Sequence, residues 1–311
     1  MESLNRMAIE LADEALDFAE ELNVIPYELE SGATVLDFGV EADGGLEAGL
    51  LLVELQTAGL ATVQSRMDTV DGSPFPHVEV ATDHPGLALL GAQKAGWELG
   101  LEDFEGLASG PARALVAEES EFRALEYVDV FELAVLTIET DQRPTESVAE
   151  HVAERAELTP EVLYLPVYRT ASIAGATSGA ARAAELAVFR LFEAGYDPTH
   201  LLSAAGSAPI PPVPTEEATA MGRTSDAISY GGDVHLTVTE DHEALSDVAS
   251  TAAVTYGDPF GRIYEHVDWE LSRIDPSVYG PARVTIDVRG GPTYTAGERH
   301  EEILAESFEL D

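Results

Sequence analysis

The chain has 311 residues, 58 aspartates and glutamates against 16 lysines and arginines, a formal charge of -42 and no cysteine. A surface this acidic excludes nucleic acid as a partner, because phosphate binding needs basic side chains, and the absent thiols exclude disulfides, thiolate catalysis and cysteine-ligated metals. With 45% hydrophobic residues the charge does not imply disorder; it implies a cytoplasm of molar salt, where a Debye length of about 3 Å screens the self-repulsion.

Residues 3–22 carry Leu4, Met7, Ala8, Leu11, Ala15, Leu16 and Phe18 at helical spacing. That start is acidic and amphipathic, unlike a secretory leader, and no stretch approaches the roughly 20 apolar residues that span a bilayer. Strands are expected at Val24–Glu30 and Thr34–Val40 around Ser31-Gly32, then a helix over Leu46–Thr57 and strands near Ala61–Arg66 and Val78–Ala81. Pro85 is placed to open a helix running through Lys94 to Trp97. Leu133–Glu139 reads as a buried strand, Thr145–Glu157 as a helix and Val162–Val167 as a strand, followed by a small-residue helix over Ser172–Ala194. Ala204–Pro214 reads as a proline-stiffened loop, Glu216–Arg223 as a helix, Ala227–Thr239 as strand and Ala282–Val288 as another. Strands alternating with helices predict an α/β fold. A charged, proline-containing connection near Gln142–Glu146 suggests a first lobe over 1–143 and a second over 144–311, with the lobes free to exchange segments.

Two segments could carry chemistry. The first, Thr82–Trp97, contains Lys94, the one lysine of the chain. A composition that has shed lysine elsewhere points to a role arginine cannot take, although a structural lysine paired with a carboxylate is the plain alternative. The second is Gly175–Glu185, in which nine of eleven residues are glycine, alanine, serine or threonine. Its two exceptions, Arg182 and Glu185, are three apart and share a helix face. An ordinary surface ion pair has the same spacing, but the small residues leave room for a bulky ligand beside this one. A carboxylate held ionised by a guanidinium suits a base acting on water or a counter-charge to a cation. There is no phosphate-cradling loop, no dinucleotide fingerprint and no serine nucleophile elbow. The eight histidines are scattered without metal-ligand spacing, so no metal is expected.

Taken together, Thr82–Trp97, Ser109–Leu115, Ser172–Glu185, Ala204–Pro212, Met221–Ala227 and Tyr256–Phe260, in this order along the chain, resemble the methenyltetrahydromethanopterin cyclohydrolases of archaeal one-carbon metabolism. The short Ser31–Val35 stretch and the ending Glu302–Glu309 fit as well. The resemblance implies a two-domain α/β fold with a pterin pocket between domains, a homotrimer, and an archaeal enzyme needing no metal or redox cofactor, while the acidic, lysine-poor composition points to the cytoplasm of a halophile. It implies Glu185, Arg182 and Lys94 as catalytic residues. His84, Gln93, Ser109, Arg113, Ser172, Arg223 and Tyr230 are the candidates for binding the carrier. Arg113, Arg169 and Arg223 are also candidates for the pocket rim, where the carrier's phosphate and carboxylate-bearing tail would ask for cations.

The chain departs from the family at Ala180-Ala181, where Ser-Gly is usual, and at Arg223 and Ser225, which replace Lys and Asn. The implied reaction is reversible hydrolysis of the methenyl carrier to its formyl form. Two alternatives are the same reaction on methenyltetrahydrofolate and a non-catalytic protein that binds a reduced pterin.

Overall fold

The computed structural model describes residues 2–246, 248–253, 256–270 and 273–310. It is mixed α/β, and its contacts cluster into two units, one of residues 1–61 and 87–178 and the other of residues 62–86 and 179–311. The division therefore falls at 61/62, 86/87 and 178/179, not near 143/144. The connection around residue 143 joins a strand and a helix of the same unit, so a charged, proline-containing loop here marks a turn inside one core.

In the first unit, helix α1 (Leu4–Asp17) starts where the Ser3 hydroxyl accepts from the Arg6 amide at 3.1 Å. A break at Phe18 separates it from α2 (Ala19–Leu22), which ends on left-handed Asn23. Strands β1 (Ile25–Glu28) and β2 (Thr34–Asp37) pair antiparallel, and α3 (Leu46–Gln56) follows. The chain then makes β3 (Thr62–Val70) and β4 (Ser73–Thr82) of the second unit. Asp71 and Gly72, both at positive φ, close that hairpin in the manner an Asp-Gly pair favours.

The expected helix after Pro85 is a π-helical turn, Gly86–Gln93, which ends in a bond from the Lys94 amide to the Leu89 carbonyl five residues back. The chain leaves it as a strand and not as a continued helix. β5 (Trp97–Leu101) and β6 (Phe104–Ser109) form a hairpin, and α4 (Arg113–Val116) and α5 (Ser120–Leu125) follow. The strand expected at Leu133–Glu139 is split into β7 (Ala134–Val135) and β8 (Thr137–Glu139). Helix α6 (Glu146–Ala156) and strand β9 (Leu163–Tyr168) complete a sheet ordered β1-β2-β9-β8-β6-β5, with β7 also paired to β9.

Adjacent residues Val35 and Leu36 belong to different cores, as the period-2 pleat requires. Leu36 packs with Leu4, Ala8, Leu52 and Leu55 of α1 and α3. Val35 packs with Trp97, Leu165, Val148 and Val152, the last two from α6. The sheet is thus covered on both faces, and truncating a buried leucine such as Leu52 to alanine would cost about 2–5 kcal/mol.

The boundary at 178/179 lies within α7 (Ile173–Ala180). The long helix expected over Ser172–Ala194 is interrupted at Ala181-Arg182, and α8 (Ala183–Glu193) starts afresh. Of the segment read as a loop, residues 204–209 belong to strand β10 (Leu201–Pro209), because small residues fit a central strand against which backbone packs closely, and residues 210–214 are irregular as expected. Helix α9 (Glu217–Gly231) runs eight residues beyond Arg223, so strand begins only at β11 (Asp233–Val238). Then come α10 (Phe260–His266), β12 (Arg283–Val288), β13 (Thr293–Gly297) and α11 (Glu301–Ser307).

The second sheet is ordered β13-β12-β11-β10-β4-β3, with only β11 and β12 parallel. Val234, Leu236 and Val238 are buried on one face of it, and α8 packs on β10 and β11. His235, Arg283, Gln64 and Arg66 line an open cavity of 550 Å³ on the sheet. Among the described residues no helix is long and apolar enough to cross a membrane.

Candidate active site

Each unit carries a largely buried ion pair. In the second, the Arg182 guanidinium donates to Glu185 Oε2 at 3.3 Å, with side chains 14% and 4% exposed. Glu185 sits in the first turn of α8, where the helix dipole favours a carboxylate. The break at Arg182 is what aims the pair: the Arg182 amide bonds to the Gly179 carbonyl, and α8 begins one residue later. Gly206 of β10 then lets that start come close, because a β-carbon there would lie 2.8 Å from the Ala184 amide nitrogen. The small residues that surround the pair in sequence are mostly buried: Ala180, Ala181, Ala183 and Ala184 have at most 3% exposure.

In the first unit, Lys94 Nζ meets Glu121 Oε1 at 2.9 Å, with side chains 15% and 4% exposed. Burial alone would push the Glu121 carboxyl up. Bonds from Lys94, its own backbone N–H and Ser120, together with the lysine charge, outweigh burial and leave it below the usual carboxylate range. Glu121 carries no sequence signal, since Glu118-Glu119-Ser120-Glu121 reads like any acidic surface run in this chain.

The structure gives several of the expected binding residues internal partners. Arg113 has no exposed surface. Its guanidinium bonds Glu119 at 2.9 Å and the Lys94 carbonyl at 2.5 Å, with longer contacts to the Ala92 and Leu90 carbonyls. A rim position for Arg113 does not fit that burial; it supports the turn that carries Lys94. Arg223 bonds the Ser307 and Pro212 carbonyls and pairs with Glu309 at 3.1 Å, tying the end of the chain to α9 beside a cavity of 340 Å³. The Tyr230 hydroxyl, buried and pushed up to about 12 chiefly by that burial, donates to the Asp258 carbonyl and accepts from the Gly257 amide.

Ser172 donates to the Arg169 carbonyl and accepts from the Gly175 amide, fixing the entry to α7. The Ser109 and Thr137 hydroxyls are 2.8 Å apart. Gln93 is buried at the end of the π-turn, and His84 is exposed with its amide on the Thr82 hydroxyl. Among the described residues no three histidine or acidic side chains converge as a metal site would require.

The chain is thus a two-unit α/β protein whose first unit holds a lysine oriented by a carboxylate and whose second holds a carboxylate oriented by a guanidinium. Comparison with known proteins narrows this class. The model of the family described as "Cyclohydrolase (MCH)" matches residues 3–308. The methenyltetrahydromethanopterin cyclohydrolase of Halobacterium salinarum is 61% identical over 310 residues, covering 100% of both chains. Those of Methanosphaerula palustris and Methanocella arvoryzae are 37% and 36% identical, over 314 and 313 residues, with 98–100% of each chain covered. The chain belongs to the methenyltetrahydromethanopterin cyclohydrolase family.

Proposed function

We infer that the protein catalyses the reversible hydrolysis of 5,10-methenyltetrahydromethanopterin to 5-formyltetrahydromethanopterin. The observation that carries this reading is the largely buried Arg182–Glu185 pair at the start of α8, in a chain 61% identical along its whole length to a protein of that name. The reacting carbon lies between two nitrogens that share one positive charge. Water adds to it, a proton leaves, and the tetrahedral adduct opens as the bond to one nitrogen breaks, so that water is consumed and one proton released. The carbon's oxidation level does not change, so the balance calls for no redox cofactor, and a protein base can take the proton without a metal.

Glu185 is the base that takes the proton from water, and its negative charge favours the cationic carrier. Arg182 fixes the direction in which that carboxylate points. Lys94 offers a fixed ammonium to the oxygen that develops or to the pterin. General acid–base catalysis of this kind contributes about 100- to 10,000-fold.

The protein acts as a homotrimer in a salt-rich cytoplasm; the family resemblance supports the first statement and the charge of -42 with a single lysine supports the second. Light scattering in molar salt tests the trimer, which requires three times the single-chain mass. The test of the reaction is loss of methenyl absorbance in molar potassium chloride, with the tetrahydromethanopterin and tetrahydrofolate carriers side by side. Catalysed loss with the first carrier is the expected result. Loss with the folate form alone would reassign the substrate, and loss with neither, from folded protein, would overturn the reading in favour of a pterin-binding protein.

A further inference from the structure

Lys94 is held at both ends by one short segment. Its carbonyl accepts from Arg113 at 2.5 Å, and Arg113 is itself held by Glu119 at 2.9 Å. Its ammonium is held by Glu121 at 2.9 Å, two residues further on and in the first turn of α5. The Lys94 amide closes the π-turn on Leu89, and the Gly96 amide bonds the Ala108 carbonyl. A β-carbon on Gly96 would fall on the Glu119 carboxylate and the Arg113 guanidinium, so a larger residue there would have to displace this pair.

A stabilising role alone does not account for this arrangement. A buried ion pair adds little net stability over an apolar pair of similar shape, because desolvation offsets the attraction. The chain has one lysine and fifteen arginines, yet it keeps lysine here, where a point charge and not a planar fork meets the carboxylate. Glu121 is as buried as Glu185 and does not serve as a surface counter-ion.

We propose that Glu121 is the positioning residue for Lys94 in the hydrolysis, fixing the direction of the ammonium before the carrier arrives, while Glu119 acting through Arg113 fixes the backbone beneath it. This rests on the reading that Lys94 serves the carrier. Preorganisation of this kind acts on the chemical step more than on binding.

The single lysine makes a direct test possible, since growth on lysine labelled with carbon-13 at Cε gives one side-chain signal. In the wild type the two Cε protons are distinct, as for a side chain held in one rotamer. In Glu121→Gln they merge to one averaged shift, and kcat falls by about tenfold or more while KM stays within about threefold. Glu121→Asp, which keeps the charge at shorter reach, recovers part of kcat. A merely structural role would lower the melting temperature and leave kcat below it unchanged.

The proposal is overturned if Glu121→Gln turns over within about twofold of wild type, or if kcat falls while the Cε protons stay distinct. Should Glu121→Gln not fold, averaged Cε protons in the wild type would overturn it equally. Lys94→Met separates the two levels: full turnover in that variant sinks the role of Lys94 itself. Lost turnover there beside a normal Glu121→Gln sinks only the positioning.

Discussion

A β-carbon on Gly206 would lie 2.8 Å from the amide nitrogen of Ala184 and 2.9 Å from its β-carbon. The β10 backbone therefore sets how far α8 can advance, and with it where Arg182 and Glu185 sit. Because the obstacle at Ala184 is backbone, Gly206→Ala must displace the helix start. Displacements of about 1 Å can cost about 100-fold in rate. Turnover of Gly206→Ala is expected to fall about 10- to 100-fold with its melting transition still cooperative. Gly261→Ala, where a β-carbon meets nothing within 4 Å, is the control and should stay within about twofold of wild type.

Asp226 makes a pH prediction. Its buried carboxyl is pushed up to about 7, burial being the main cause and Glu306 a lesser one, against bonds from Ser307 and the Phe260 amide that pull it down. A raised acid holds a proton in the fold that the unfolded chain has already lost. Its contribution to stability is full below about pH 4 and is lost as pH rises to about 7. Urea unfolding of wild type and Asp226→Asn at pH 5 and pH 8 in molar salt isolates the effect. The wild type should lose on the order of 2 kcal/mol more than the variant over that interval. Equal losses in both proteins would show that Asp226 is ionised throughout.

The charge of -42 predicts a salt requirement. Raising potassium chloride from about 0.2 M to above 1 M shortens the Debye length from below 10 Å to about 3 Å or less. The melting temperature should rise by several degrees across that range, as a gain of only about 1 kcal/mol already moves a protein of this size by about 2–4 °C. A melting curve unchanged by salt would remove this reading of the composition.

The parts of the fold that could be read from the sequence were those with one dominant local signal. The first helix, the β1–β2 hairpin, α3, α6 and β9 follow their hydrophobic periodicity to within a few residues. Lys94 stood out because it is alone, and Arg182 and Glu185 because small residues surround them. The failures have physical causes. β10 is made of small residues around Gly206 and runs into Pro209, Pro211 and Pro212, which signal a loop, and only the helix packed against Gly206 makes a strand of it. The π-turn before Lys94 needs a tertiary anchor, which Arg113 provides, and the break at Arg182 has neither proline nor glycine to announce it. Glu119 and Glu121 were hidden by abundance: among 58 acidic residues, nothing local marks these two as turning inward.

The central claim is that Glu185 takes the proton from the attacking water. Comparing Glu185→Gln with wild type tests it most directly, with kcat followed by methenyl absorbance in molar potassium chloride and binding of the carrier by fluorescence or calorimetry. Loss of about 100-fold or more in kcat, with binding of the formyl carrier retained, is the predicted result. Turnover near that of wild type would contradict the assignment of the base, whatever the other residues do.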